Sequence, residues 1–318
     1  MLSFALGQAL AIALAMIPLL AKWLGSIGFP GAIAQVGLGY FWMLLLLFYV
    51  QPWKTGLSNP LYLYLLVGVM DFESNFCISE AFGLIPPIIA RLMLNLTLPL
   101  SFFLEFIAQG KLPSSVQVLG LVLVLVGVVL AAASPVTLAA VTDRTQAAKG
   151  LLFAMASTFL GALSGLSQKT LMRGKDKHSE MVACMSVSAV LVAAVQLPPW
   201  EVERYKNLEN PGAAVAGIAA ISVLIFAFYF GSIHYNRRFP HALPFNLLTI
   251  NAHVFMGELL VFGNWEVAEP MLAGAFILTV GGGLVVHLSA AEKAEAAQRP
   301  ESFKALDEEG PLLEVAEN

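Results

Sequence analysis

Charged side chains are scarce in this sequence, and their scarcity is the first guide to the class of protein. Only 12% of the 318 residues are Asp, Glu, Lys or Arg, whereas 58% are hydrophobic. A soluble globular domain carries about a quarter charged residues, so this composition excludes a soluble fold. The sequence also has no basic stripe of the kind that binds nucleic acid. We therefore expect an integral membrane protein with no nucleic-acid partner.

Cysteine and catalytic motifs are scarce as well. The two cysteines, Cys77 and Cys184, lie in apolar segments without metal-binding or redox spacing. We expect both to pack as small hydrophobic residues. Ser164 stands in GALSG rather than in a GxSxG elbow, and no HExxH sequence occurs. The sequence thus predicts that the protein is not an enzyme and needs no cofactor or metal, while coupling to protons or to a counter-substrate stays open.

Long apolar runs, in contrast, are abundant. About twenty apolar residues span the roughly 30 Å hydrocarbon core of a bilayer, and the chain has ten runs near that length. They lie at 4–22, 28–50, 61–80, 85–107, 115–133, 148–171, 181–198, 212–235, 241–262 and 269–288. The first run lacks the basic start of a signal peptide, so we interpret it as a mature helix. The predicted fold class is an all-α polytopic membrane protein with about ten transmembrane helices.

Basic residues in the short loops predict the orientation of these helices. If the N-terminus is cytosolic, the basic residues on the cytosolic side are Lys54, Lys111, Arg173, Lys175, Lys177, Arg237, Arg238, Lys293, Arg299 and Lys304. Those on the opposite side are Lys22, Arg144, Lys149, Arg204 and Lys206. The excess on the first side, together with an even number of helices, predicts that both termini are cytosolic.

A weak internal repeat divides the chain. Residues 119–130 match residues 273–284 when the sequence is shifted by 154 positions, and each match closes a block of five runs. A repeat of five helices must have its second copy inverted in the membrane, which is a common plan of secondary transporters. We predict a first five-helix repeat at 1–133, a linker at 134–147, a second repeat at 148–288, and a cytosolic tail at 289–318 that is either disordered or a short juxtamembrane helix followed by disorder.

The third and fourth runs carry unusual polar residues. Asp71, Glu73, Asn75 and Arg91 interrupt otherwise apolar sequence, although a charged side chain at the bilayer centre costs on the order of 3 kcal/mol. Such groups usually face a water-filled cavity or a partner, so we expect this hairpin to form a wall of the substrate site. Asp71 and Asn75 share a helix face, and Arg91 and Asn95 share another.

The run Asp71-Phe72-Glu73-Ser74-Asn75-Phe76 resembles the D-x-E-x-N-aromatic run of the F subfamily of solute carrier family 35, in the drug/metabolite transporter superfamily. Other positions that fit the same pattern are Ala81-Phe82, Pro99, Leu248-Thr249 and Gly263. The resemblance covers nearly the whole chain and implies ten helices, cytosolic termini and a central cavity with alternating access. The chain departs from the family at Arg91, at Gln168-Lys169 and at Asn251, where the family has glutamine, an acidic pair and aspartate. Fold transfers across such changes, but substrate does not.

The residues that we expect to bind substrate are Asp71, Glu73, Asn75, Arg91, Asn95, Gln8, Thr249 and Asn251. Some of these residues could instead hold helices together. Arg91 and Glu73 are compatible with an ion pair that joins helices three and four. Gln8, similarly, is compatible with a hydrogen bond between helices.

The charges near the predicted cavity do not sum to a cationic site. We therefore expect a neutral, zwitterionic or cationic metabolite, with nucleosides and nucleobases among the candidates. Asp71 or Glu73 would be its cation partner or a proton site. A nucleotide-sugar antiporter is the alternative function, and a non-transporting receptor or scaffold is the second alternative.

Two protein partners are predicted besides the substrate and the lipid bilayer. Glu308 precedes Leu312-Leu313 by four residues, and this acidic dileucine pattern is a signal for clathrin-adaptor-type sorting machinery. It favours an endolysosomal, vacuolar or other endomembrane location, with the plasma membrane as an alternative. The glycines at 281–283 allow helix ten to approach a second copy, so a homodimer through helices five and ten is a candidate assembly.

Overall fold

The computed structural model describes residues 2–29, 31–110, 112–136, 144–172, 178–208, 210–238 and 243–298. Ten principal helices follow one another in the order of the predicted runs. They are α1 (Leu2–Ser26), α2 (Ala32–Met43, continued by Leu45–Val50), α3 (Leu61–Leu84), α4 (Pro87–Leu94, continued by Thr97–Gln109), α5 (Ser115–Ala133), α6 (Arg144–Leu171), α7 (His178–Trp200), α8 (Pro211–Arg238), α9 (Leu243–Leu260) and α10 (Pro270–Gln298). Shorter helices in the connections are Pro52–Thr55, Val202–Lys206 and the 3-10 turn Trp265–Ala268.

Nine of the helices in the described ranges are long and apolar enough to cross a membrane. The remaining principal helix, α9, takes the place of the ninth predicted run but is shorter and more polar, since it carries Asn251, His253 and Glu258. No strand occurs in the described part of the chain. The predicted class, an all-α polytopic membrane protein, is confirmed.

Local chemistry explains where several helices begin and end. Pro87 stands at the first position of α4, where a missing backbone N–H costs nothing. Gly110 ends α4 with a left-handed φ of 65°, which glycine adopts without strain. Ser114 and Gln117 form a capping box at the start of α5, in which each side chain bonds the other residue's N–H. These signals fix the turn between α4 and α5.

Two boundaries differ from the prediction. The helix α6 begins at Arg144, inside the predicted linker. The helix α10 continues past 288 to Gln298, so the tail begins as a helix, which is one of the two alternatives for this segment. The reason is that residues 290–298 are mostly Ala, Glu, Lys and Gln, which are strong helix formers. The predicted sorting signal, Glu308 with Leu312-Leu313, lies outside the described residues.

The helices pack in a pattern with a period of five. The helix α3 contacts α6 and α7, and correspondingly α8 contacts α1 and α2. In the same way α4 contacts α6, and α9 contacts α1. Exchanging each helix for the one five places away, so that α3 becomes α8 and α6 becomes α1, converts one set of contacts into the other. This correspondence supports the predicted repeat of five helices, which stays a prediction.

The helices α5 and α10 approach each other closely through small residues. A Cβ atom on Gly120 would lie 2.7 Å from the carbonyl oxygen of Gly282, and one on Gly127 would lie 2.3 Å from Thr279 Oγ1. The glycine surfaces of these helices therefore face each other within one chain. Of the glycines at 281–283, Gly281 has open space around its Cα. The homodimer stays a prediction, and it would use that position.

Candidate substrate-binding site

A cavity of about 190 Å³ lies inside the helical bundle, bounded by α1, α2, α3, α4, α6 and α8. Its polar lining consists of Ser74, Asn75, Ser79, Arg91, Ser157 and Tyr229. Its apolar lining consists of Leu14, Ile17, Pro18, Val36, Ile78, Phe82, Leu94, Ile225 and Phe228. Both predicted repeats contribute to this lining. A largely apolar cavity with a few polar side chains is the arrangement expected of a small-molecule site.

A proline in the middle of α1 adds to the polarity of the cavity wall. Pro18 lies inside the helix Leu2–Ser26 and has no N–H to donate to the carbonyl of Leu14. Both residues line the cavity. Proline is tolerated within membrane helices where other groups satisfy the freed backbone carbonyl. The sequence interpretation missed this position, although a proline within an apolar run was a visible signal.

Asp71 is outside the cavity lining but bonds to Asn75 and Tyr229, which belong to it. Tyr229 of α8 donates a hydrogen bond to Asp71 Oδ2 at 2.9 Å, and Tyr40 of α2 donates a second one to the same oxygen. Asn75 Nδ2 lies 3.4 Å from Asp71 Oδ2 and donates to Tyr40 Oη at 3.0 Å. The predicted pairing of Asp71 with Asn75 on one helix face is therefore present, and the buried Tyr40 and the partly exposed Tyr229 complete it.

The other oxygen of Asp71 faces α6. Ser164 Oγ donates to Asp71 Oδ1 at 3.1 Å, and Gln168 Nε2 lies 3.4 Å from the same atom. Gln168 also donates to Ser164 Oγ at 3.0 Å. All the donors around this carboxylate are neutral. Asp71 is thus fully hydrogen-bonded, and its negative charge has no cationic partner among these neighbours.

Glu73 and Arg91 do not meet. Glu73 Oε1 accepts a hydrogen bond from Gln196 Nε2 of α7 at 2.5 Å, whereas Arg91 lines the cavity. Within the described ranges the ion pairs are Lys22 with Glu258 and Lys169 with Glu105. The structure therefore does not contain the ion pair that was one interpretation of Arg91 and Glu73.

The remaining sequence candidates form two contacts of α9 with its neighbours. Thr249 Oγ1 donates to Gln8 Oε1 of α1 at 3.1 Å. Asn251 Nδ2 lies 3.4 Å from Asn95 Oδ1 of α4. These four side chains are outside the lining of the central cavity as the structure describes it. Here they connect helices, and a direct role in substrate binding stays a prediction.

Two buried glutamates hold one end of the bundle. Glu258 of α9 accepts the N–H of Ile88 at the start of α4 at 3.0 Å and pairs with Lys22 of α1 at 3.4 Å. Glu201 accepts the N–H of Ile33 at the start of α2 at 2.6 Å and that of the next residue at 2.9 Å. A carboxylate at a helix N-terminus satisfies unpaired N–H groups and the helix dipole. At this end, second-half glutamates therefore cap first-half helices.

The opposite end is joined in a different way. Glu180, at the start of α7, accepts the N–H of Ser58 at 2.8 Å and the hydroxyl of Tyr64 at 2.5 Å. Lys169 Nζ of α6 lies 2.6 Å from Glu105 Oε1 of α4, and Lys169 is largely exposed. The two halves of the chain are therefore bridged at both ends, and the cavity lies between the bridges.

Membrane-spanning helices around a polar cavity that both halves line define the class of protein, a transmembrane solute carrier. The comparison with family models agrees, because the SLC35F model, described as Solute carrier family 35, matches residues 1–288. The chain belongs to this family, and the resemblance seen in the sequence is confirmed.

A solved structure described as "Crystal structure of protein" shares the fold. It superposes with a TM-score of 0.59 at 20% sequence identity, over 90% of this chain and 98% of that chain. At this identity the similarity shows the fold alone. No curated protein matches the sequence.

Proposed function

We propose that this solute carrier moves a small organic metabolite across its membrane by alternating access, as a secondary-active or facilitative transporter. The central cavity carries the proposal. Arg91, Asn75 and Tyr229 meet there inside an apolar bundle, and polar groups at membrane depth are costly unless water or a ligand uses them. The bridges between the two halves at both ends of the bundle support a mechanism in which one end opens at a time.

The size of the cavity favours a small substrate. Its volume of about 190 Å³ is below the roughly 300–1,000 Å³ of sites for drug-sized ligands. A nucleotide sugar is much larger, and its diphosphate would require several cations where the lining offers Arg91. Both arguments support the small metabolite over the nucleotide-sugar antiporter.

The location and orientation belong to the same proposal. We place the protein in an endolysosomal, vacuolar or other endomembrane with both termini in the cytosol, on the basis of the basic residues in the loops and the acidic dileucine sequence. Coupling to protons or to a counter-substrate is compatible with the carboxylate of Asp71 behind the cavity.

Uptake into proteoliposomes that contain the purified protein tests the function. The panel consists of radiolabelled amino acids, nucleosides, nucleobases, polyamines and nucleotide sugars. We expect uptake of at least one small metabolite, and we expect Asp71→Asn to reduce its rate by roughly tenfold or more, because bonds to a charged acceptor are worth about 1.5–3 kcal/mol each. The matched control is Glu266→Gln, which removes one negative charge from an exposed turn.

Three results would contradict the proposal. Uptake of nucleotide sugars alone would favour the antiporter. Wild-type rates in a correctly folded Asp71→Asn protein would remove this carboxylate from the mechanism. No uptake of any compound, combined with intact cellular phenotypes of Asp71→Asn, would favour a receptor or scaffold.

A further inference from the structure

The central cavity has a single kind of charge on its surface. Among the described side chains that line it, Arg91 is the charged one. The acids that the sequence placed in the site are oriented elsewhere: Asp71 is enclosed by neutral donors behind the lining, and Glu73 bonds to Gln196 on α7. The surface that a ligand meets is therefore cationic at one point and neutral over the rest.

Arg91 has no counter-charge in the part of the chain that the structure describes. The ion pairs there use Lys22 and Lys169, with Glu258 and Glu105 as their partners. A guanidinium has five N–H donors, and a charge that is partly withdrawn from water without a partner destabilises a protein. An anionic group on the ligand would compensate that charge at the moment of binding.

We propose that Arg91 binds a carboxylate of the transported molecule, so that the substrate is a small organic acid or zwitterion. The inference rests on the proposed function and narrows its substrate class. One arginine balances one negative charge, and its planar fork accepts both oxygens of a carboxylate. A phosphate monoester carries about −1.5 to −2 at neutral pH and would need a second cation.

Part of the cavity lining favours a neutral or positive group. Asn75 and Tyr229 both line the cavity, and both bond to the carboxylate of Asp71, which is outside the lining. The negative charge of Asp71 thus lies behind the neutral wall, while Arg91 stands at the surface. A zwitterion would align with this dipole, with its carboxylate at Arg91 and its amino group towards Tyr229.

The body of the substrate must be compact and largely apolar. Phe82 and Phe228 contribute aromatic surface to the cavity, and Ile78 and Ile225 contribute aliphatic surface. With a volume of about 190 Å³ the site holds one amino-acid-sized or single-ring molecule. The inferred substrate class is therefore a monocarboxylate of that size with an apolar or aromatic body.

Ligand-induced thermal stabilisation of the purified protein tests this inference, since a ligand that binds the folded state raises its stability by RT ln(1 + [L]/Kd). The probes are L-leucine, L-phenylalanine and nicotinate, each beside its amide, together with phenyl phosphate, all at millimolar concentration. We expect at least one acid to stabilise the wild type while its amide does not. In Arg91→Gln the apparent Kd of that acid should rise roughly ten- to a hundredfold, as for the loss of a hydrogen bond to a charged group.

Two further variants keep the test informative if Arg91→Gln folds poorly. Arg91→Lys keeps the charge but loses the fork, so it should retain part of the stabilisation. Lys54→Gln removes an exposed positive charge far from the cavity and should bind as the wild type does.

The inference fails if an acid raises the thermal stability of the wild type and of Arg91→Gln equally, or if the amides stabilise the protein as strongly as the acids do. It also fails if phenyl phosphate is the only probe that stabilises the protein, or if no carboxylate stabilises the wild type. Failure of the proposed function is distinguishable. If the protein is not a transporter, the liposomes take up no compound at all. If they take up a compound at a rate that does not depend on Arg91, only the binding of a substrate carboxylate by Arg91 is contradicted.

Discussion

Glu258 offers the sharpest prediction of stability. Its side chain is completely buried, with 0% exposure. One oxygen accepts the N–H of Ile88 at 3.0 Å, and the other accepts Asn264 Nδ2 at 3.0 Å and faces Lys22 Nζ at 3.4 Å. The carboxylate thus joins α9, α4 and α1, so Glu258→Gln should loosen all three together.

The expected loss follows from these contacts. Glutamine keeps one acceptor for Ile88 but places an NH₂ group opposite the donors of Asn264 and Lys22. Leaving a buried donor without an acceptor costs about 1–3 kcal/mol. Losing the negative charge at the N-terminus of α4 costs a further 0.3–1 kcal/mol or so. Because Lys22 still reaches solvent with 27% exposure, it can rehydrate in part, and we expect a total destabilisation of about 2–3 kcal/mol.

Thermal unfolding of the purified protein in detergent measures this loss as a Tm several degrees below that of the wild type. Glu266→Gln, on the neighbouring exposed turn, is the matched control and should leave the Tm unchanged. A double-mutant cycle with Lys22→Met tests the assigned partner, because residues in one network are not additive. A Glu258→Gln protein as stable as the wild type, or additive losses in the cycle, would refute the reasoning.

Two further predictions concern helix packing and sorting. Gly127→Ala should strongly destabilise the protein in thermal unfolding, because the added Cβ would lie 2.3 Å from Thr279 Oγ1. Gly274→Ala is the control and should leave the stability unchanged, because its added Cβ would have no neighbouring atom within 4 Å. Equal effects of the two substitutions would contradict the close approach of α5 and α10. Replacing Leu312 and Leu313 by alanine should move a tagged protein from endomembranes to the plasma membrane in fluorescence microscopy, and an unchanged location would remove the sorting signal.

The fold was accessible from the sequence because hydrophobic length alone determines where a chain can cross a bilayer. The fifth run, 115–133, coincides with α5 (Ser115–Ala133). The observed helices differ from the predicted runs where a property other than apolarity determines the end of the helix. The helix α10 extends beyond the membrane-spanning composition because alanine and charged helix formers continue it to Gln298.

The candidate site could be predicted from the sequence only in part. Asp71 and Asn75 are four residues apart on one helix, so their proximity follows from helix geometry. The sequence made an ion pair of Arg91 with Glu73 possible, but the presence of both charges on adjacent helices does not determine the direction of each side chain around its helix axis. Glu73 lies two residues, or about 200°, from Asp71 and therefore faces α7 instead. Tyr229 comes from a distant helix, and only the packing of α8 brings it to Asp71.

The ion pairs at the two ends of the bundle differ in their access to water. In the pair of Lys169 with Glu105, the side chains are 68% and 20% exposed, whereas Glu258 in the other pair is 0% exposed. At physiological ionic strength the Debye length is about 8 Å, so dissolved salt screens an exposed pair and hardly affects a buried one. The electrolyte in the compartment that Lys169 faces therefore weakens the contact between α4 and α6. Salt on the other side screens the pair of Lys22 with Glu258 less, because Glu258 is buried although Lys22 is 27% exposed, so the two aqueous phases act unequally on these two contacts.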